Sequence, residues 1–170
     1  MTEVLSSVSD ASHSSDFRPL YIAVLRTLTS AFSHDQDSFW QSPTHFTSIT
    51  PPLLAQLSHA SKSLPVVDYV IPAITELAAT VDSADQHKTM NTAIMALLRH
   101  DEASVRLAAV KCEMSLTERL GEEWLALLPE MLPFVSELQE DDDEAVEREV
   151  NRWIIMMEGV LGENLDSMLQ

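Results

Sequence analysis

His34, Asp35 and Asp37 stand within four residues of one another. A histidine beside two carboxylates is the set of groups that a hydrolytic or metal centre uses. The plainer reading of this stretch is a polar loop that supplies helix caps. The six histidines (His13, His34, His45, His59, His87 and His100) contain no His-x-x-x-His pair, and none has a cysteine neighbour. Zinc-ligand spacing is therefore missing. Cys112, the single cysteine, falls on the apolar stripe of a helical segment and reads as a packing residue rather than a nucleophile. No GxSxG elbow accompanies the serines, and three glycines supply no phosphate-cradling loop. The expectation is a non-enzyme with no catalytic residues, no metal and no cofactor.

Two other groups could act by contact. Glu140, Asp141, Asp142, Asp143, Glu144, Glu147 and Glu149 concentrate negative charge at a helix start, where the helix dipole stabilises acids by about 0.3–1 kcal/mol each. They read as a solvated, well-capped turn; the alternative is a docking surface for a basic protein. Phe39, Trp40 and Phe46 place three rings in a connecting segment. They either fold back to pin the loop or serve as an aromatic anchor for a partner.

Positioning these groups requires a helical framework. Leu127, Leu128, Met131, Val135 and Leu138 follow helical spacing. After the acidic turn, Val146, Val150, Trp153 and Met157 repeat it with steps of four, three and four. Neither stripe is covered by the other alone, so further helix pairs must stack on them. Residues 1–15, rich in serine, read as a flexible lead-in, and residues 16–170 as one helical domain.

Within that domain the first helix is expected from Asp16, with Phe17, Tyr21, Val24, Leu28 and Phe32 inward. A loop follows over 34–46. A second helix is expected from Thr50-Pro51-Pro52, and a third from Leu64 carrying Val67, Val70, Ile74, Leu77 and Val81. Ser83 with Gln86 reads as a capping box. Asp101 reads as the cap of a helix that Gly121 stops. Segments Glu122–Gln139 and Asp143–Leu161 complete six to eight antiparallel helices. Two internal echoes support a repeat: IPAITEL at Ile71 with LPFVSEL at Leu132, and DEASV at Asp101 with DDEAV at Asp142. A proline inside each of the first pair suggests a shared bent helix.

Composition narrows the class of partner. Ten basic against 27 acidic side chains give a net charge of −17. Nucleic-acid binding normally depends on a basic stripe that releases counterions, so direct contact with RNA or DNA is disfavoured and a basic protein is favoured. An apolar fraction of 45 % excludes wholesale disorder. No apolar run approaches the roughly 20 residues of a membrane span, and the N-terminus has no secretory leader. The expectation is a soluble, intracellular protein with no small-molecule substrate.

Asp101, Val105-Arg106 and Ala109 resemble HEAT repeats, in which the first helix carries a proline and the second opens with an aspartate followed by Val-Arg. At the second copy Glu147 follows Val146, with Arg148 one place late, which puts the Asp/Arg ladder in doubt there and suggests a terminal repeat. A closer resemblance rests on HDQDSFWQSPTHF (34–46), PPLLAQL (51–57), VRLAAVKCEMSLTERLGEEWLALLPEMLPFVSEL (105–138) and the ending VLGENLDSML. These are similar to the C-terminal region of the U-three small nucleolar RNA-associated protein ten family, also called the HEAT repeat-containing protein one family. The resemblance implies a HEAT-like α-solenoid and a C-terminal piece of a far longer chain. It also implies a structural role in the small-subunit processome, in early ribosome biogenesis, pre-ribosomal RNA processing and ribosomal RNA transcription. Implied partners are other processome proteins of the UTP-A subcomplex, with pre-ribosomal RNA met only through the parent assembly in the nucleolus of the nucleus. Repeat physics alone would equally suit a general HEAT-type adaptor in transport or signalling.

Overall fold

The computed structural model describes residues 17–62 and 64–169. The serine-rich lead-in lies outside them. The described residues form eight α-helices and no strand: α1 (Phe17–Ser33), α2 (Pro43–Leu54), α3 (Ile71–Thr80), α4 (Ala84–Leu97), α5 (Ala103–Leu120), the single turn α6 (Glu122–Leu125), α7 (Leu128–Leu138) and α8 (Glu144–Leu161). A 3-10 stretch, Ala55–Lys62, and a π turn, Val66–Val70, join α2 to α3.

The helices stand in two rows. Helices α1, α3, α5 and α8 pack side by side in that order, while α2 and α4 form the opposing row. Helix α7 continues that second row, tied to α4 by Lys88–Glu130 (2.7 Å) and to the turn after α4 by Arg99 Nε to Glu137 Oε2 (2.7 Å). One apolar layer fills the space between. Leu128, Met131, Val135, Val150, Trp153 and Met157, expected to be inward from their spacing, are all buried, and Val105, Ala109 and Trp124 join them. This alternation of successive helices between two rows is the all-α repeat that the stripes require.

Several local expectations are corrected. Helix α2 begins at Pro43, not Thr50, because Ser42 caps it and Pro43 needs no hydrogen-bond partner in the first turn. Pro51 and Pro52 lie inside its last turn, after which the chain tightens to 3-10 geometry. The π turn before α3 adds a residue to the helical circuit. Val66 is thereby buried while Val67, expected inward, is 50 % exposed. Ser83 precedes α4 but makes no side-chain cap, and Gln86 instead donates to the Gln41 carbonyl (2.8 Å). Glu102, not Asp101, occupies the cap position of α5. The expected helix over 122–139 is broken at Ala126-Leu127, since Pro129 has no N–H for the Leu125 carbonyl.

The two internal echoes also separate. DEASV and DDEAV both open helices of the same row, α5 and α8, as a repeat demands. IPAITEL and LPFVSEL fall in opposite rows, α3 and α7, and share a pattern because both rows face one core. Pro72 sits in the first turn of α3 whereas Pro133 is inside α7, so no shared bent helix exists.

Candidate protein-docking surface

The acidic turn divides into a built half and an open half. Arg106, on α5, reaches it with its whole guanidinium. Nε–H and Nη2–H donate to the two oxygens of Asp141 (2.8 and 2.7 Å), and Nη2–H also to Asp142 (2.7 Å). Nη1–H donates to the carbonyls of His100 (2.9 Å) and Asp101 (3.0 Å). A guanidinium has five N–H donors, and here all five are used. The side chains of Arg106 and Asp141 are 11 % and 6 % exposed. Burial would push the Asp141 carboxyl up, but the Arg106 pair and the Asp143 N–H outweigh it and hold it below the usual carboxylate range.

Asp143 is the cap of α8, accepting from Ala145 N–H (2.9 Å) and Val146 N–H (3.2 Å). Its own N–H donates to Asp141 (2.9 Å). Asp141 and Asp143 are therefore structural, and the Asp/Arg ladder does connect the two repeats. Asp101 contributes its backbone carbonyl to that ladder. Beyond α8 the ladder stops, because Arg148 is exposed and makes no ion pair among the described residues. Glu140, Asp142, Glu144 and Glu147 face solvent. They are the part of the turn that another molecule could meet.

The aromatic group folds back on the core. Phe46 is buried. Trp40 sets its ring edge-on to Phe32 of α1, with centroids 5.0 Å apart. Phe39 stacks on His45 at 3.6 Å and is 47 % exposed. Of the three expected anchors, Phe39 alone presents a large apolar surface. His34 turns its ring to the Ser30 carbonyl (2.9 Å), a helix-end contact. No group of three or more metal-ligating side chains comes together among the described residues, and none of their helices is long and apolar enough to cross a membrane.

Sequence reasoning passed over one buried polar cluster. Glu113 is fully buried between α5 and α6, where one carboxyl oxygen accepts the Trp124 indole N–H (2.8 Å) and the other has no partner. Burial pushes its carboxyl up to about 8, against the lowering effect of the Trp124 bond. Thr117, one turn on, donates to the Glu113 carbonyl (2.8 Å) and accepts the Trp153 indole N–H (3.0 Å). The signal was a glutamate beside Cys112 on an otherwise apolar stripe. Cys112 itself is buried and its thiol is pushed up, as befits a packing residue.

An all-α helical-repeat protein with an acidic edge held by an internal guanidinium ladder is the class that these observations define. No family model matches the chain. Among curated proteins, it is 58 % identical over 164 residues to the U3 small nucleolar RNA-associated protein 10 of Coccidioides immitis, covering 89 % of this chain and 9 % of that protein. It is 57 % identical over 147 residues to the Neurospora crassa protein of the same name, covering 86 % and 8 % respectively. The Aspergillus fumigatus protein of that name is 51 % identical over 183 residues, covering 99 % and 10 %. The chain belongs to the U3 small nucleolar RNA-associated protein 10 family. It spans about a tenth of the length of these relatives.

Proposed function

We propose that this chain is a non-catalytic scaffold segment in early ribosome biogenesis. It acts by protein–protein contact in the assembly of the small-subunit processome and the processing of pre-ribosomal RNA, in the nucleolus. The observation that carries the reading is the 58 % identity over nearly the whole chain to a protein named for its association with U3 small nucleolar RNA. The architecture suits it, since a stack of helices offers long solvent-facing edges while its interior is filled with packing side chains. RNA is met through the surrounding assembly, because a chain of charge −17 opposes counterion release from phosphate. The exposed acids Glu140, Asp142, Glu144 and Glu147 form the edge that meets a basic protein surface, such as a subunit of the UTP-A subcomplex. Phe39 is a secondary anchor.

Reversing Glu140, Glu144 and Glu147 to lysine in the parent protein tests the docking edge and leaves Asp141, Asp142 and Asp143 to hold the ladder. The variant should fold as the wild type does but recover less processome protein in affinity purification, with the wild-type contact weakening as salt is added. Undiminished recovery would remove the docking role of this edge. Normal precursor RNA processing after deletion of the whole segment would overturn the scaffold reading itself.

A further inference from the structure

The core encloses two polar side chains without satisfying them. Glu113 on α5 and Asn91 on α4 have no exposure to solvent. One oxygen of Glu113 and both amide atoms of Asn91 have no hydrogen-bond partner among the described residues. Trp124 is what closes over Glu113. Its indole N–H donates to the carboxyl from α6 (2.8 Å), and its ring meets the edge of His87 on α4, with centroids 5.7 Å apart.

The charged surroundings of Glu113 are sparse. His87 keeps Nε2 on the Ala78 carbonyl (2.9 Å) and Nδ1 at 3.7 Å from the Glu123 carboxylate of α6. Glu122 and Glu123 both face solvent. Cys112, beside Glu113 on α5, is buried. The 3-10 stretch packed on α5 carries His59, half-buried, while α3, α7 and α8 bury only uncharged side chains. No lysine or arginine pairs with Glu113 among the described residues.

Burial therefore keeps a proton on Glu113 up to a pH of about 8. Once that proton leaves, the carboxylate has one indole donor and no counter-charge, a state that a dry interior strongly opposes. Water is the donor it then needs. The enclosing element that yields most readily is α6, a single turn closed by Leu125 N–H to the Gly121 carbonyl (3.1 Å) and Ala126 N–H to the Glu122 carbonyl (3.0 Å). Helices α4, α5 and α8 run for 14, 18 and 18 residues. Gly121, at a φ of +58° that L side chains rarely adopt, and the break at Ala126-Leu127 give α6 a pivot at each end.

We propose that α6 is a proton-controlled latch, which holds Trp124 on Glu113 while the carboxyl is protonated and swings out to admit water when the carboxyl ionises. Local openings of this kind draw on the least stable units of a fold and leave the rest folded. Helices α5 and α8 keep their packing while the start of α7 is freed. The latch lies inside the fold and does not rest on the docking edge.

The test follows the indole N–H signals of the 170-residue chain by proton–nitrogen NMR from about pH 6 to about pH 9.5. The Trp124 signal should shift with a midpoint at about 8. Its exchange with solvent should quicken by about tenfold more than that of Trp153, which Thr117 holds at 3.0 Å. Backbone amide exchange should show α6 losing protection over the same range while α5 and α8 keep theirs. Glu113→Gln, which keeps an acceptor for the indole and cannot ionise, should hold Trp124 in its closed signal throughout, and His87→Gln should leave the transition in place. The proposal is overturned if Trp124 stays protected to the top of the range, as it would if the Asn91 amide turned to satisfy Glu113. It fails equally if α5 and α8 lose protection together with α6, if the transition survives Glu113→Gln, or if His87→Gln abolishes it. Where the glutamine variant does not fold, the wild-type exchange pattern decides.

Discussion

Arg106 decides how the last two repeats are joined, because its five N–H groups bind the α4–α5 turn and the α7–α8 turn at once. Removing one partner of a buried pair leaves the other charge uncompensated. Arg106→Ala should therefore cost about 3 kcal/mol, read as a lower denaturant midpoint. Glu113 acts in the opposite sense. Its carboxyl titrates near 8 in the folded chain against 4.5 for an unperturbed glutamate, so the native state holds a proton that the unfolded state releases. Stability should accordingly fall as pH rises from about 4.5 to about 8, at up to about 1.4 kcal/mol per pH unit, and this contribution is flat on either side. Glu113→Gln keeps an acceptor for Trp124 and cannot ionise. Thermal melts across that window should lose the slope in the variant, and an unchanged slope would place the titration elsewhere.

At the level of elements, caps and breaks set where each helix begins. Asp143 satisfies two orphan N–H groups of α8, whereas Ser83, in the same position before α4, satisfies none with its side chain. Asp143→Ala should cost about 1 kcal/mol and Ser83→Ala clearly less, as measured by chemical denaturation. Equal losses would show that the cap geometry carries no energy here. The π turn has a comparable reach. One extra residue in the circuit moves the buried position from Val67 to Val66 while Val70, Ile74 and Leu77 stay inward, so α3 keeps its core face.

The whole molecule carries its charge as a solvent shell around an apolar layer, with six of its basic side chains drawn into ion pairs or ring contacts across or along helices. What remains outside is predominantly negative. The isolated chain should therefore show no appreciable affinity for single-stranded or duplex RNA in a filter-binding assay at physiological salt. Submicromolar binding there would assign RNA contact to this segment itself.

The class of fold was legible from periodicity, because apolar side chains on helices must recur at 3.6-residue spacing to reach a common core. The stripes of α1, α5, α7 and α8, the glycine stop at Gly121, and the packing role of Cys112 could all be read without coordinates. The family phrases were equally local, being strings of residues. Contacts distant along the chain were not legible. Nothing in a single string tells Arg106 to reach Asp141, 35 residues on, or sends Gln86 to Gln41 instead of closing a capping box. Nor can periodicity distinguish the two rows, since helices on either side of one core show it the same apolar pattern; this is why IPAITEL and LPFVSEL looked equivalent. The π turn escaped for a related reason. It costs one backbone hydrogen-bond register and is tolerated only where packing repays it, so Val67 is exposed and Glu113 buried by decisions that tertiary packing alone makes.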